Sequence, residues 1–201
     1  MDMEIREARL HQGWKQALQG GDVESAVIRV KDTDYFQTED HGLDPETVLV
    51  EISAARSSDE RGHVDWEDVT VHPVMVGDEY NMTPGYFHQR PDSEDIYWVM
   101  DGDGLMLIMD RDGHAWCEEM EEGSLHKIES DYAVRLINIG DTPLRVVHCF
   151  PSEAGKDYEA IKNRPFPCHI YDDDGELSIR VDLEKHTENE EAKAPEELFQ
   201  E

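Results

Sequence analysis

The sequence predicts an all-β core, closed as an antiparallel sandwich or small barrel and preceded by one amphipathic helix. Three observations carry this expectation. From Asp65 onward short apolar runs recur at near-regular spacing with Gly, Asp and Pro between them, the grammar of an antiparallel array. The runs are rich in Val, Ile, Tyr and Trp, and they alternate in polarity every second residue. No solenoid-type repeat interrupts them, and no apolar run approaches membrane-spanning length.

Taken in order, residues 4–19 place Leu10, Trp14, Ala17 and Leu18 on an i, i+4, i+7, i+8 stripe that stops at Gly20-Gly21. A helix on the outside of the domain is expected there. Residues 27–30 suit a short strand, and the acidic stretch to Asp44 an exposed loop. Residues 47–52 fit a strand or a helix capped near Asp44 or Thr47, because short apolar runs are not settled by periodicity. Residues 66–75 suit a strand interrupted or edged by Pro73. Residues 86–88 and 95–100 are strand segments around a polar loop, and Asp101-Gly102-Asp103-Gly104 has hairpin chemistry. Residues 105–109, 115–118, 124–128, 132–139, 144–150 and 176–183 complete the strands, with turns at 110–113 and 140–143. This divides the chain into residues 1–64 packed on the barrel, the barrel itself at 65–183, and an acidic tail at 184–201.

Composition narrows the function. Lys and Arg total 18 against 48 Asp and Glu, a net charge of -30 spread along the whole chain. Such a surface suits a salt-rich cytoplasm, where counterions screen self-repulsion, and it argues against nucleic acid or anionic membrane as partners. Cys117, Cys149 and Cys168 are odd in number and widely spaced, so neither a disulfide frame nor a zinc knot is expected. The N-terminus carries no basic and apolar leader pattern, which points to a cytoplasmic protein.

Chemistry concentrates in residues 83–104, TPGYFHQRPDSEDIYWVMDGDG. Alternation puts Asp95, Tyr97 and Val99 on one strand face and Ile96, Trp98 and Met100 on the other. A carboxylate on a largely apolar face needs a partner to offset its desolvation.

The segments GDEY at 77–80, TPGYFH at 83–88, Asp95-Ile96-Tyr97, Asn138-Ile139-Gly140-Asp141 and Ala154-Gly155-Lys156-Asp157-Tyr158 resemble the cupin-type glucose-6-phosphate isomerases of archaea. The match runs from Val71 to Ile161, and more loosely from Gly13 to Leu183. The resemblance implies a cupin double-stranded β-helix (a jelly-roll barrel), a homodimer, and isomerisation of glucose 6-phosphate to fructose 6-phosphate with a bound divalent metal such as Fe, Mn, Ni or Zn. It also implies a metal held by a His-x-His pair, a following Glu and a later His. The corresponding residues here are Tyr86, His88, Asp95 and Val134, so one ligand is unchanged.

A displaced set of His88, Asp95 and His148 is one way to rebuild the site. In a 133–150 hairpin, pairing Asn138 with Leu144 sets His148 opposite Val134, and pairing Ile139 with Leu144 turns it to the other face. For the chemistry, Asp95 is the candidate base, its pKa expected to rise on burial. Tyr97 and Tyr158 are the candidate hydrogen-bond donors, with His148 a third if no metal is held. The resemblance places the sugar phosphate near Thr83 and Gly85, and Lys156 adds a cation that either joins them or faces solvent. The alternative is a non-catalytic cupin that lost its metal and binds a sugar phosphate or related metabolite. A metal-dependent oxygenase would also need the His88, Asp95, His148 set.

Overall fold

A computed structural model describes residues 3–39, 41–90 and 92–181. The strands are β1 (Leu10–His11), β2 (Gln19–Gly20), β3 (Val23–Arg29), β4 (Val48–Ala55), β5 (Val64–Val71), β6 (Met75–Val76), β7 (Glu79–Tyr80), β8 (Phe87–His88) and β9 (Glu94–Asp101). They continue as β10 (Gly104–Met109), β11 (Ala115–Met120), β12 (Leu125–Glu129), β13 (Ala133–Asn138), β14 (Leu144–Pro151) and β15 (Lys156–Asp157). Helix α1 (Tyr158–Asn163) follows, then β16 (Cys168–Asp173) and β17 (Glu176–Val181).

A six-stranded sheet in the order β12-β9-β14-β5-β4-β3 faces a three-stranded sheet, β11-β10-β13. This is the expected double-stranded β-helix, in which the chain crosses between the two sheets from β9 to β10 and at each step from β11 to β14. Val69, Val71, Val99, Met106, Ile108, Leu136, Leu144 and Val146 fill the space between them. The runs GLMLIM and AVRLIN are buried throughout because β10 and β13 have no solvent face. Leu107, Met109 and Ile137 pack outward under Ile161, Phe166 and Ile170, as sheets covered on both faces require.

Three expectations change. Residues 4–19 form no helix. The carbonyls of Gly13, Trp14 and Gln16 instead accept hydrogen bonds from the Arg145 guanidinium, which also holds Asp68, so the groups a helix would pair internally are bound to the barrel wall. Segment 101–104 is not a hairpin turn, since β9 pairs with β12 and β14 while β10 pairs with β11 and β13. It is a corner between sheets, packed on the 140–144 corner. Gly102 has φ +84, and a Cβ there would stand 2.5 Å from the Pro143 carbonyl oxygen and 2.9 Å from Leu144 Cα. For the same reason neither β13–β14 register occurs: those strands lie in different sheets. Of residues 47–52, those from Val48 onward resolve as strand, and β3 and β4 extend the sheet that holds β5. The acidic tail at 184–201 lies outside the described residues. Among those described, no helix is long and apolar enough to cross a membrane.

Candidate active site

Strand alternation collects one polar layer near an end of the barrel. On β5 the inward residues run from Val71 and Val69, which are apolar, to Glu67 and Asp65, all four buried. On β14 they run from Val146 to His148 and Phe150. His148 stands opposite Glu67 on one neighbour and Tyr97 on the other, and β9 carries Asp95 one step beyond Tyr97. Strand β8 brings in His88, which pairs across to Lys156 of β15.

The result is a continuous chain of polar contacts. His88 Nδ1 lies 2.9 Å from the Gly155 carbonyl and its Nε2 lies 2.7 Å from both oxygens of Asp95. His148 Nε2 lies 3.0 Å from Asp95 Oδ2, and its Nδ1 lies 3.5 Å from Glu67 Oε2. Lys156 Nζ donates to both Glu67 oxygens at 2.8 and 2.9 Å, and Arg56 approaches the same carboxylate at 2.6 Å. Tyr97 donates to Asp95 Oδ2 at 3.3 Å. The His148 ring is stacked between Tyr97 and Phe150, with centroids 4.1 and 4.4 Å away.

These contacts reverse one expectation. Burial alone would raise the Asp95 pKa, but hydrogen bonds from His148 and His88 outweigh it and hold the carboxyl at about 2. Burial likewise opposes ionisation of Glu67, yet His148 and Lys156 hold it well below the ordinary range. Both nitrogens of His88 face oxygen acceptors, an arrangement that favours the charged ring. Burial works against that charge, and the Asp95 bond overcomes it to raise the His88 pKa. Burial, with Asp95 adding to it, lifts Tyr97 and Tyr86 well above the ordinary phenol value, so neither phenol ionises at neutral pH.

The sequence-predicted residues fall into two groups. His88, Asp95, Tyr97, His148 and Lys156 belong to the buried chain. Gly85 and Tyr158 line an adjoining cavity of about 840 Å³ together with Tyr35, Arg135 and Phe166. Gly85 has φ +73, and a Cβ on it would meet Phe166 at 2.5 Å. Asp157 caps α1 by accepting from the Ala160 amide, which sets Tyr158 edge-on to Tyr86 at 5.6 Å, with Tyr158 43% exposed. The Thr83 hydroxyl accepts from the Leu136 amide at 3.0 Å. Sequence reasoning missed Glu67, Arg56 and Arg135. Glu67 carried the signal used for Asp95, a carboxylate in line with apolar Val69 and Val71. Arg135 is buried over the Phe166 and Tyr35 rings and donates to the Pro84 carbonyl, fixing the 83–85 loop; burial pulls its pKa down to about 10.

As arranged, the donors do not fit a divalent ion. Among the described residues, the side chains whose donor atoms gather within 4.8 Å are Asp110, Asp112 and His114, whose mutual hydrogen bonds close the exposed β10–β11 turn. In the buried chain the Asp95 carboxylate lies between the imidazoles and keeps them apart, whereas one ion at about 2.1 Å from each would hold them within about 4.2 Å. Of the three positions that depart from the ligand set the resemblance implies, Tyr86 and Val134 face each other across a β-bridge.

The glucose-6-phosphate isomerase family profile matches residues 27–188. The glucose-6-phosphate isomerase of Thermococcus kodakarensis is 30% identical over 137 residues, 68% of this chain and 72% of that protein. That of Pyrococcus furiosus is 30% identical over 132 residues, 66% and 70% of the two chains. Among solved structures, oxalate decarboxylase from Bacillus subtilis superposes with a TM-score of 0.42 at 22% identity, over 52% of this chain and 26% of that one.

Proposed function

This chain belongs to the glucose-6-phosphate isomerase family, and we propose that it interconverts glucose 6-phosphate and fructose 6-phosphate. The observation that carries this reading is the buried chain Glu67, His148, Asp95, His88, built from β5, β14, β9 and β8 beside a cavity that Gly85 and Tyr158 line.

Isomerisation moves one proton from C2 to C1 and turns an aldehyde into a ketone. Asp95 is ionised at any physiological pH and is therefore always ready to accept. His88 and His148 share its oxygens and fix its orientation. Tyr158, on the cavity side, donates a hydrogen bond to a sugar oxygen, while Thr83 and Gly85 receive the phosphate. A base held at about 2 is weak, and proton abstraction slows as a base falls below the working pH. Slow turnover is the expected outcome. The saturation of Asp95 by two imidazoles and a phenol also favours a second reading, in which the barrel binds the sugar phosphate without converting it.

The test is conversion of fructose 6-phosphate by the purified chain in molar KCl. Turnover that falls about 100-fold or more in Asp95→Asn, the scale of general-base removal, supports the isomerase. No turnover by folded wild-type protein overturns it, and calorimetric binding of fructose 6-phosphate in that case selects the second reading.

A further inference from the structure

We propose that the Lys156 ammonium, in place of a divalent ion, is the electrophile of this site and stabilises the enediolate. The inference rests on the isomerase reading above and names the residue that makes such a reaction possible with these donors.

Placement comes first. Lys156 is the cross-strand neighbour of His88. Its Nζ sits 2.8 and 2.9 Å from the Glu67 oxygens, 4.7 Å from the Tyr86 ring centroid and 5.0 Å from that of Phe150. The two rings hold the ammonium by cation–π attraction. Its side chain is 19% exposed while that of Glu67 is 2% exposed, so the charge is anchored inside and reachable from outside. Tyr86, which stands at a ligand position of the resembled metal site, thus forms part of the lysine's seat.

Its pairing comes second. Glu67 is shared by Lys156 and Arg56, and Arg56 also meets Asp65 at 3.1 Å, so Glu67 divides its charge between two cations. An anion entering this end meets the Lys156 ammonium in a medium of low dielectric, where it acts strongly.

The step balances without an oxidant. Asp95 removes the C2 proton, the C2–H electron pair becomes the C1=C2 bond, and the carbonyl π pair passes to O1, where the charge meets Lys156. The O2 hydroxyl proton then moves to O1 while Asp95 returns its proton to C1, leaving the carbonyl at C2.

Wild type, Lys156→Met, Lys156→Gln and Lys156→Arg, each shown to be folded by circular dichroism in molar KCl, are titrated with a five-carbon aldonate phosphate whose carboxylate copies the enediolate charge. Metal content is measured after exposure to Mn²⁺, Ni²⁺ or Zn²⁺ and dialysis. The expected result is probe binding without stoichiometric metal, weakened about 30-fold or more in Lys156→Met and Lys156→Gln, largely kept in Lys156→Arg, with turnover following the same order and indifferent to EDTA. One metal per chain whose removal abolishes probe binding overturns the proposal, as does unweakened binding by both neutral variants. Lysine-dependent probe binding with no turnover in any protein overturns the isomerase reading, and with it the electrophile role, while leaving Lys156 an anion-binding residue.

Discussion

His148 is constrained on every side: Asp95 and Glu67 at its two nitrogens, Tyr97 and Phe150 on its two ring faces. His148→Leu removes the imidazole that pairs with two carboxylates, whose side chains are 2% and 4% exposed. Breaking one partner of a buried charged network costs about 3–5 kcal/mol, and because His88, Lys156 and Arg56 remain, a loss near ~3 kcal/mol in urea unfolding is expected. The Asp95 pKa should climb from about 2 toward the ordinary carboxylate range, which carboxyl-carbon NMR titration reads directly. Unchanged stability together with an unchanged Asp95 titration would mean that His148 contributes nothing to the chain. Asp95 and His148 stand out because each is polar on an apolar strand face, and alternation says so. That they touch was not legible through the β13–β14 register, since β9 is the strand that brings them together. The direction of Lys156 depends on Glu67, which lies 89 residues away, and on Arg56, which lies further still, beyond any local pattern.

At the scale of elements, the segment before β3 shows how a periodic stripe misleads. Trp14 and Leu18 are the anchors that the stripe identifies, and they do dock: Trp14 edge-on to Trp98 at 5.2 Å, Leu18 5% exposed. The backbone between them is bound by one guanidinium rather than by its own turns. Arg145→Met should therefore free the segment and leave Asp68, whose side chain is 0% exposed, without its cation. A cost of about 3–5 kcal/mol follows, with trypsin gaining access at Lys15. The double variant Arg145→Met/Asp68→Leu removes both charges and should recover part of the stability while the segment stays cleavable. Recovery of both would show that the guanidinium does not hold the backbone. The corner at Gly102 makes the complementary case. Turn chemistry told where the chain reverses but not which sheet receives it, because that is settled by the neighbouring corner at 140–144. Gly102→Ala must displace the Pro143 carbonyl and adopt a left-handed φ, so a loss of about 1–3 kcal/mol in denaturant unfolding is expected. A neutral result would mean that the two corners can separate.

At the scale of the whole molecule two electrostatic effects oppose each other with pH. Acidification toward the pI of about 4.4 removes net negative charge and relieves self-repulsion, which stabilises the fold at low ionic strength. The buried chain acts in the other direction on its acidic side. Asp95 and Glu67 have folded pKa values below their unfolded ones, so their contribution is complete above about pH 4.5 and is lost as pH falls through the folded values. For Asp95 alone the shift to about 2 corresponds to ~2 kcal/mol. His88 has a raised folded pKa, so its contribution is complete below about pH 6.5 and is lost as pH rises through the folded value. Molar KCl shortens the screening length to about 3 Å, which suppresses the surface term and leaves the buried one. Melting temperature in molar KCl should then be highest between about pH 4.5 and 6.5 and fall on both sides. In Asp95→Asn the acid limb should shallow, and the alkaline limb should shallow with it, because His88 loses the carboxylate that raises its pKa. An alkaline limb of unchanged steepness in that variant would place the titrating group outside the His88–Asp95 pair.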